Sequence, residues 1–149
     1  MSSTVSRKSR SKAPDYVLDE QIGFILRQAY QKHALLFLEI FGDGLTPTQW
    51  AAIAKLGEVG ACSQNLLGRL TAMDAATIKG VVGRLMKRGL VEANSSPTDR
   101  RRLLLSLTPA GRKAYERGAG LALKVSAGTL ARLAPKDRTV LLRLLRQLG

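Results

Sequence analysis

Two short apolar segments flank an arginine-rich turn in the second half of the chain, and this arrangement restricts the possible folds more than any other feature. The segments are residues 90–93 and 102–107, and the tip between them reads Ser96-Pro97-Thr98-Asp99-Arg100-Arg101-Arg102. Turn residues between two short apolar runs favour a β-hairpin. The leucines of the second run suit a strand or a helix. The turn before this run and the helix start after it favour the strand.

Helix-start signals surround this predicted hairpin. Thr46 followed by Pro47 and Gln49 has the pattern of a capping box, and Ser63, Asp74 and Thr108-Pro109 also suit helix starts. Glycines or prolines end the segments between them. We therefore predict a helix from about residue 15 to 41, then helices at about 47–59, 64–70, 75–88, 109–133 and from 135 onward. The predicted order is α-α-α-α-β-β-α-α.

Two short helices followed by a hairpin predict a winged helix-turn-helix, a fold that binds DNA. The fourth predicted helix has an apolar stripe made of Ile78, Val81, Val82 and Leu85. Its opposite face carries Ala76, Gly80, Gly83 and Lys87. Each exposed helical glycine costs about 1 kcal/mol relative to alanine, and close approach to DNA would offset that cost. The alternative is close packing against a neighbouring helix.

The three consecutive arginines at the hairpin tip repel one another unless a polyanion is present. An arginine that reaches out from a wing suits a narrow minor groove, whose negative potential attracts the guanidinium. Asp99 lies beside them and is expected to pair with a neighbouring arginine and to fix the orientation of that side chain. The alternative is an ordinary charged surface turn. We favour the DNA-binding interpretation because the turn directly follows a predicted helix-turn-helix.

The distribution of charge supports a polyanionic partner. The chain has 149 residues, 24 basic and 11 acidic, for a net charge of +13. Residues 14–62 contain three basic and six acidic residues, residues 63–102 contain eight and three, and residues 103–149 contain nine and two. The excess of basic residues is therefore concentrated in the second half, where the hairpin lies.

Residues 1–14 form a basic tail, predicted to be flexible and to touch phosphates nonspecifically.

Several classes of protein are disfavoured by what the sequence contains. One cysteine, Cys62, allows no intrachain disulfide and no multi-cysteine metal site. One histidine, His33, makes a zinc catalytic site improbable. No nucleophile with a partner base and no phosphate-binding glycine loop is recognisable, so we expect no enzyme, no cofactor and no metal. The longest uncharged run, Gly44–Ala54, is too short to span a membrane. We expect a cytoplasmic protein.

The sequence resembles the MarR family of winged-helix transcriptional regulators over nearly its whole length, from about residue 15 to 148. The resemblance rests on Thr77-Ile78-Lys79, Arg84-Leu85, Arg88-Gly89-Leu90-Val91, Asp99-Arg100-Arg101 and Leu107-Thr108-Pro109-Ala110-Gly111. It implies a homodimer on a near-palindromic, double-stranded DNA operator. It also implies that residues 15–44 and 108–149 form the dimerisation helices, and that residues 45–107 form the DNA-binding region.

The family resemblance assigns the DNA contacts residue by residue. Thr77, Lys79, Gly80 and Arg84 are expected to face the major groove, and Arg101 the minor groove. Asp99, Arg100 and Arg102 complete the wing tip. Phosphate contacts are expected at the start of the third helix, where the helix dipole favours anions, from Ser63, Gln64 and Asn65.

Members of this family usually release DNA when a small molecule binds between the dimerisation and DNA-binding parts. The stretches 63–65 and 70–80 are most similar to regulators of aromatic-acid breakdown, which respond to benzoate-, hydroxycinnamate- or nicotinate-type compounds or to their coenzyme A thioesters. His33 lies among apolar residues and suits a carboxylate or phenol. Candidate ligand residues are Phe24, Tyr30, His33, Phe37, Trp50 and Tyr115. The alternative for each aromatic residue is an ordinary core position.

The sequence supports three functions to different degrees. The favoured function is a repressor released from its operator by a small aromatic acid or its thioester. The alternative is a ligand-independent architectural protein or activator that binds DNA. A small enzyme is the third. Peroxide sensing through a thiol is disfavoured, because the resemblance places the reactive cysteine near the start of the first helix and this chain has none there.

Overall fold

The computed structural model describes residues 13–149, so most of the predicted basic tail lies outside the described residues. A 3₁₀ turn at Leu18–Glu20 precedes the first helix. The elements that follow are α1 (Ile22–Phe41), α2 (Pro47–Val59), α3 (Gln64–Leu70), α4 (Ala75–Lys87), β1 (Val91–Ser95), β2 (Leu103–Leu107), α5 (Pro109–Thr129) and α6 (Pro135–Arg146). The predicted order of six helices with one hairpin is confirmed.

The predicted helix starts are confirmed at the level of hydrogen bonds. Thr46 Oγ1 accepts from the backbone N–H of Gln49 at 3.3 Å, and Gln49 Oε1 accepts from the backbone N–H of Thr46 at 3.3 Å, which completes the capping box. Ser63, Asp74 and Thr108 each accept a backbone N–H bond from the residue three positions ahead. These local bonds fix where α2, α3, α4 and α5 begin.

The hairpin forms as predicted, but its strands are displaced by one or two residues. β1 and β2 pair antiparallel, with Val91 opposite Leu107 and Ser95 opposite Leu103. β1 therefore extends two residues into the segment predicted as turn. An isolated β-bridge adds to the hairpin, because Cys62 exchanges both backbone hydrogen bonds with Leu105, at 2.8 and 3.1 Å. This bridge ties the start of α3 to the wing.

The fifth helix was predicted to continue to about Leu133, and this prediction is wrong. α5 ends at Thr129, four residues earlier. Beyond it the backbone tightens, since Ala131 N–H donates to Gly128 O and Leu133 N–H to Leu130 O, each three residues back. Such turns keep leucines at helix-like spacing without continuing the helix. The spacing of apolar residues therefore continues beyond the last residue of α5 and does not mark where the helix ends.

The main apolar core lies within the winged helix-turn-helix region. Ile53, Leu56, Leu67, Ile78 and Leu85 are all less than 2% exposed. They are contributed by α2, α3 and α4, and the hairpin closes the core with Val91 and Leu105. α5 packs against both α1 and α2, and so connects the terminal helices to this region.

Candidate DNA-binding and effector sites

The fourth helix carries its polar side chains on the face that the core leaves free. Ile78, Val81, Val82 and Leu85 are buried, as their spacing predicted. Thr77, Lys79 and Arg84 are exposed on the other side of α4. Asp74, at its start, accepts hydrogen bonds from Thr77, and these bonds hold the pKa of its carboxyl below the usual value. α4 is therefore anchored at its N-terminus and presents a polar surface.

The glycines of α4 have no packing role that the chain itself explains. A Cβ added at Gly83 would meet nothing within 4 Å. At Gly80 the nearest atom is a guanidinium nitrogen of Arg84 at 3.4 Å, an ordinary contact with the end of a flexible side chain. Packing against a neighbouring helix, the alternative raised by the sequence, does not occur at either position within the described residues.

The start of α3 places its three predicted phosphate contacts in different environments. Asn65 is exposed, whereas Ser63 and Gln64 are half-buried. Ser63 Oγ accepts from Leu66 N–H at 3.2 Å, so the hydroxyl already serves as the helix cap. Asn65 is thus the most accessible of the three side chains.

The wing tip is shaped by Asp99, but not in the way that the sequence suggested. Asp99 was expected to pair with a neighbouring arginine. Its Oδ1 instead accepts from the backbone N–H of Arg101 at 3.0 Å, and its carbonyl accepts from Arg102 N–H at 3.1 Å. A short polar side chain that caps its own turn satisfies its acceptors locally. The carboxylate therefore fixes the backbone at Arg101 and leaves the side chain of that arginine unpaired.

Arg100, Arg101 and Arg102 are all exposed. Within residues 13–149 the only salt bridge joins Lys55 to Glu58, at 2.8 Å on α2. The cationic wing and the polar face of α4 therefore belong to one compact region and keep their charges free for an anionic partner.

The structure places the six predicted ligand residues in separate groups, the largest of which contains three of them. Phe37, Trp50 and Tyr115 lie in one row of rings, completed by Phe41, which the sequence analysis did not single out. The ring centroids are 4.1 Å apart for Phe37 and Phe41, 5.7 Å for Phe41 and Trp50, and 6.3 Å for Trp50 and Tyr115. Glycines make room for the row, since a Cβ at Gly57 would overlap Tyr115 and one at Gly118 would overlap Trp50.

Tyr30 and His33 lie further back on α1, with ring centroids 6.0 Å apart. His33 Nδ1 is 2.8 Å from Thr129 Oγ1, at the end of α5. A cavity of about 750 Å³ opens beside them between α1, the end of α5 and α6, and Lys32 and Arg132 also line it. We call it the helix cavity. Phe24 is half-buried near the start of α1 and makes no ring contact within the described residues.

A second cavity, of about 400 Å³, lies under the loop between α1 and α2, and we call it the loop cavity. Its walls come from the end of α1, this loop, the residues after α4 and the middle of α5: Phe41, Asp43, Gly44, Leu45, Arg88, Leu90, Ala114, Arg117, Gly118 and Leu121. The lining is apolar except for two arginines and one aspartate. Both cavities fall within the size range of small-molecule sites.

Arg88 connects the loop cavity to the end of α4. It is the first residue after α4, and its backbone N–H donates to Arg84 O at 3.1 Å. Its Nη1 donates to Gly44 O at 3.1 Å and to Gln49 Oε1 at 3.2 Å.

Sequence reasoning missed Arg88, Arg117 and Asp43 as candidate ligand residues. The available signals were the place of Arg88 in the family-like motif after α4 and of Arg117 two positions beyond Tyr115.

Cys62 does not have the environment of a reactive thiol. Its side chain is buried, and burial raises its pKa above the ordinary thiol value. A raised pKa leaves the protonated, unreactive form at neutral pH. This finding agrees with the expectation against thiol sensing.

No group of three or more histidine, cysteine, aspartate or glutamate side chains that could hold a metal occurs between residues 13 and 149. Over the same residues, none of the helices has the length and apolar character that crossing a membrane requires.

Comparison with known proteins agrees with the fold. Residues 43–102, which span α2 to the wing, match the model of the MarR family. The HTH-type transcriptional repressor NicR of Pseudomonas putida is 36% identical over 134 residues, which cover 89% of this chain and 85% of NicR.

Two solved structures are similar over almost their whole length. A probable transcriptional regulator from Pseudomonas aeruginosa is 57% identical, with a TM-score of 0.84 over 89% of this chain and all of the other. BpsR of Bordetella bronchiseptica, whose DNA binding is regulated by 6-hydroxynicotinic acid, is 37% identical, with a TM-score of 0.86 over 91% of this chain and 97% of BpsR.

Proposed function

Because this chain belongs to the MarR family of transcriptional regulators, we propose that it is a repressor that leaves a near-palindromic operator when a small aromatic acid binds. It is a DNA-binding regulator and not an enzyme. The observation that carries the proposal is the pairing of the exposed polar face of α4 with a wing whose three arginines have no carboxylate partner. A regulator of this kind acts where the chromosome lies, which fits the expected cytoplasmic location.

We assign the DNA contacts as the sequence predicted. Thr77, Lys79, Gly80 and Arg84 reach the major groove from α4. Arg101 reaches the minor groove, held in place by the turn that Asp99 caps. Arg100 and Arg102 add phosphate contacts, as do Ser63, Gln64 and Asn65 at the start of α3. The exposure of the α4 side chains, of the wing and of Asn65 supports this assignment.

We further propose that the operator-binding form is a homodimer built from residues 15–44 and 108–149. The terminal helices expose large apolar side chains that the chain does not cover, including Ile22 and Leu26 on α1 and Leu144, Leu145 and Leu148 on or just after α6. Large exposed apolar side chains concentrated on the same helices are typical of a protein interface. A two-fold dimer would place two copies of α4 about 34 Å apart, which matches successive major grooves.

For the effector, we propose a free aromatic acid or its coenzyme A thioester. The support is the similarity to NicR and to BpsR, together with two cavities that border both the terminal helices and aromatic residues. The predicted ligand residues distribute between them. Phe37, Trp50 and Tyr115 belong to the row of rings that reaches the loop cavity through Phe41, whereas His33 lines the helix cavity. Tyr30 adjoins His33, and Phe24 adjoins neither group.

The test is a binding titration with the purified protein and the DNA upstream of its own gene, followed by fluorescence anisotropy. We expect tight binding that falls steeply as salt rises, because phosphate contacts release counterions. We expect addition of 6-hydroxynicotinate, 4-hydroxybenzoate, a hydroxycinnamate or one of their thioesters to weaken it. Binding that none of these compounds alters would favour the alternative, a ligand-independent architectural protein or activator.

A further inference from the structure

We propose that Thr108 is a positioning residue, which fixes the orientation of α4 relative to α5 and thereby makes the dimer select operators by the spacing of their half-sites. The residues that carry the inference are Gly89, Leu90, Thr108 and Gly111, and we call them the α4–α5 joint. The inference rests on the proposed function, because half-site spacing has meaning only for two copies of the chain on a near-palindromic operator.

The end of α4 leaves two backbone carbonyl groups for partners outside the helix. Gly89, just beyond the helix, has a φ of 70°, in the left-handed region that favours glycine. Its N–H donates to Met86 O, and the N–H of Leu90 donates to Leu85 O, each at 3.0 Å. These bonds close the last turn of α4 and do not use the carbonyl oxygens of Gly89 and Leu90.

Thr108 binds both of these oxygens and also starts α5. Its backbone N–H donates to Leu90 O at 3.1 Å, and its Oγ1 donates to Gly89 O at 2.6 Å. The same Oγ1 accepts from the N–H of Gly111 at 3.0 Å. A hydroxyl group has one hydrogen to donate, so the hydrogen binds the residue after α4 while a lone pair caps α5. One side chain therefore joins the end of α4 to the first turn of α5.

Gly111 allows the two elements to approach each other closely. It is buried, and a Cβ added there would overlap the carbonyl oxygen of Leu90. The first turn of α5 thus lies directly against the backbone that follows α4. A larger residue at position 111 would push the two apart.

The joint is the direct connection between α4 and α5, which have little other contact within the described part of the chain. α4 packs mainly against α2, α3 and β1, whereas α5 packs mainly against α1, α2 and β2. The shared neighbour, α2, meets α5 through the stacked rings of Trp50 and Tyr115. Apolar contacts are not directional, whereas hydrogen bonds weaken steeply when they bend. We therefore assign the angle between α4 and α5 to the bonds of Thr108.

The position of the joint gives a small change of angle a large effect at the DNA. The joint lies at the C-terminal end of α4, whereas Thr77 and Lys79, two of the assigned major-groove contacts, lie in its first half. At about 1.5 Å per residue, Thr77 is roughly 15 Å from the last residue of the helix, so a tilt of about 10° would move it by roughly 2.5 Å. The second copy would move by the same distance, which changes their separation by up to roughly 5 Å, more than the rise of about 3.4 Å per base pair.

A rigid joint therefore rejects operators whose half-sites have the wrong spacing. Two α4 helices held at one separation gain the full benefit of linked binding only where both half-sites match that separation. With a loose joint, the dimer would bind several spacings with similar and lower affinity. The contacts within each half-site would be the same in both cases. Thr108 is thus expected to act on spacing and not on the sequence of a half-site.

The first experiment measures operator binding by the full-length protein with Thr108→Val, which removes the hydroxyl at nearly constant size. The duplexes carry the half-sites found upstream of its own gene at their natural spacing, with one or two base pairs inserted or removed, or one half-site alone. We expect one inserted base pair to cost the unmodified protein roughly tenfold or more in affinity and Thr108→Val less than about threefold. Affinity for the single half-site should be the same. Thr108→Ser keeps both hydroxyl bonds and should restore the preference.

Thr46→Val is the matched control, because it removes the side-chain cap of α2 in the same way and leaves the joint intact. Both valine variants should unfold at a lower temperature, but only Thr108→Val should lose the spacing preference. Gly111→Ala gives a second route to the same result and replaces Thr108→Val if that protein does not fold, since its methyl group crowds Leu90 while the hydroxyl of Thr108 remains. Gly120→Ala, where the methyl group meets nothing, is the control for this variant.

The second experiment measures the separation of the two α4 helices directly. A spin label on Ala76→Cys, at an exposed position near the start of α4, reports the label-to-label distance in the dimer by double electron–electron resonance. The buried Cys62 is replaced by alanine in every sample, so that each chain carries one label. Without DNA, we expect a narrow distribution of distances in the otherwise unmodified protein and in Thr108→Ser, and a broader or displaced one in Thr108→Val.

The possible results separate this inference from the proposed function. A dimer that binds the two-half-site operator, and whose spacing preference and label distances are the same with and without Thr108→Val, would reject the inference and leave the repressor intact. If Thr46→Val loses the spacing preference as fully as Thr108→Val, lost stability and not the joint is the cause, and the inference is again rejected. An unmodified protein that binds two half-sites no more tightly than one would reject the dimeric operator complex and the inference together.

Discussion

The winged helix-turn-helix region and the terminal helices bury their apolar side chains to very different degrees. In residues 45–107 the large core residues Ile53, Leu56 and Leu85 are at most 1% exposed. On the terminal helices Leu123 is 73% exposed and Leu144 is 46% exposed. One region thus completes its core within a single chain, and the other leaves apolar surface that a second copy would cover. The contrast separates residues that hold the fold from residues that we expect to hold the dimer.

The largest expected effect is in the self-contained core. Leu85→Ala should lower the free energy of unfolding by about 2–5 kcal/mol, because it removes buried methyl groups and leaves a cavity. Leu103→Ala, in the exposed part of the wing, is the matched control and should change stability by about 0.5 kcal/mol or less. Chemical denaturation measures both. Equal losses at the two leucines would mean that the core does not lie where the structure places it.

The next effect concerns the terminal helices. Leu144→Asp should leave the DNA-binding region folded but dissociate the dimer, so that sedimentation detects a monomer at micromolar concentration. Operator affinity should then fall by roughly a hundredfold or more, because two linked half-site contacts become independent. Thr139→Asp adds the same charge on the opposite face of α6 and should leave the dimer intact. A Leu144→Asp protein that sediments as a dimer would contradict the proposed interface.

The wing is predicted to contribute to binding and not to stability. Arg101→Ala should weaken operator binding by about 1–3 kcal/mol and relax the preference for A·T pairs in the flanking minor groove. Its unfolding should be unchanged, since its side chain has no salt-bridge partner within the described residues. Arg146→Ala is the control for a lost positive charge elsewhere. Unchanged operator affinity in Arg101→Ala would reject the assigned role.

The smallest expected effect is that of Gly83→Ala, which should raise the free energy of unfolding and lower the affinity for the operator. Gly83→Ala should stabilise α4 by about 1 kcal/mol, because the added methyl group meets nothing and alanine favours the helix. It should nevertheless weaken operator binding, because the methyl group stands between α4 and the groove. Gly120→Ala, on α5 with equally open surroundings, should stabilise without affecting DNA binding. If Gly83→Ala binds the operator normally, close approach of α4 does not explain this glycine.

The starts of α2, α3, α4 and α5 were predictable because each depends on hydrogen bonds within four residues. Thr46 and Gln49 form their capping box through bonds between residues three positions apart. The apolar stripe of α4 was predictable for a similar reason, since helical spacing alone places Ile78 and Leu85 on one face. The end of α5 was mispredicted because leucine spacing does not distinguish a helix from the tighter turns that follow Thr129.

The six candidate ligand residues show which contacts could not be predicted from spacing along the sequence. Helical spacing correctly placed Tyr30 near His33, and the same spacing puts Phe41, which was not singled out, beside Phe37. Trp50 and Tyr115 meet across α2 and α5, and the glycines that admit their rings are recognisable only once the helices are packed. Composition identified which side chains could bind an aromatic acid. Packing decided which of them lie together.

The sequence by itself determined the order of the elements, most of their boundaries and the buried face of α4, because these follow from local hydrogen bonds and helical periodicity. Only the tertiary structure decided that Cys62 forms a β-bridge with Leu105, that the loop cavity and the helix cavity are separate, and that Arg88 binds Gly44 and Gln49, 44 and 39 positions away. Such contacts depend on how whole helices pack. No local pattern specifies which distant partner a long side chain will meet.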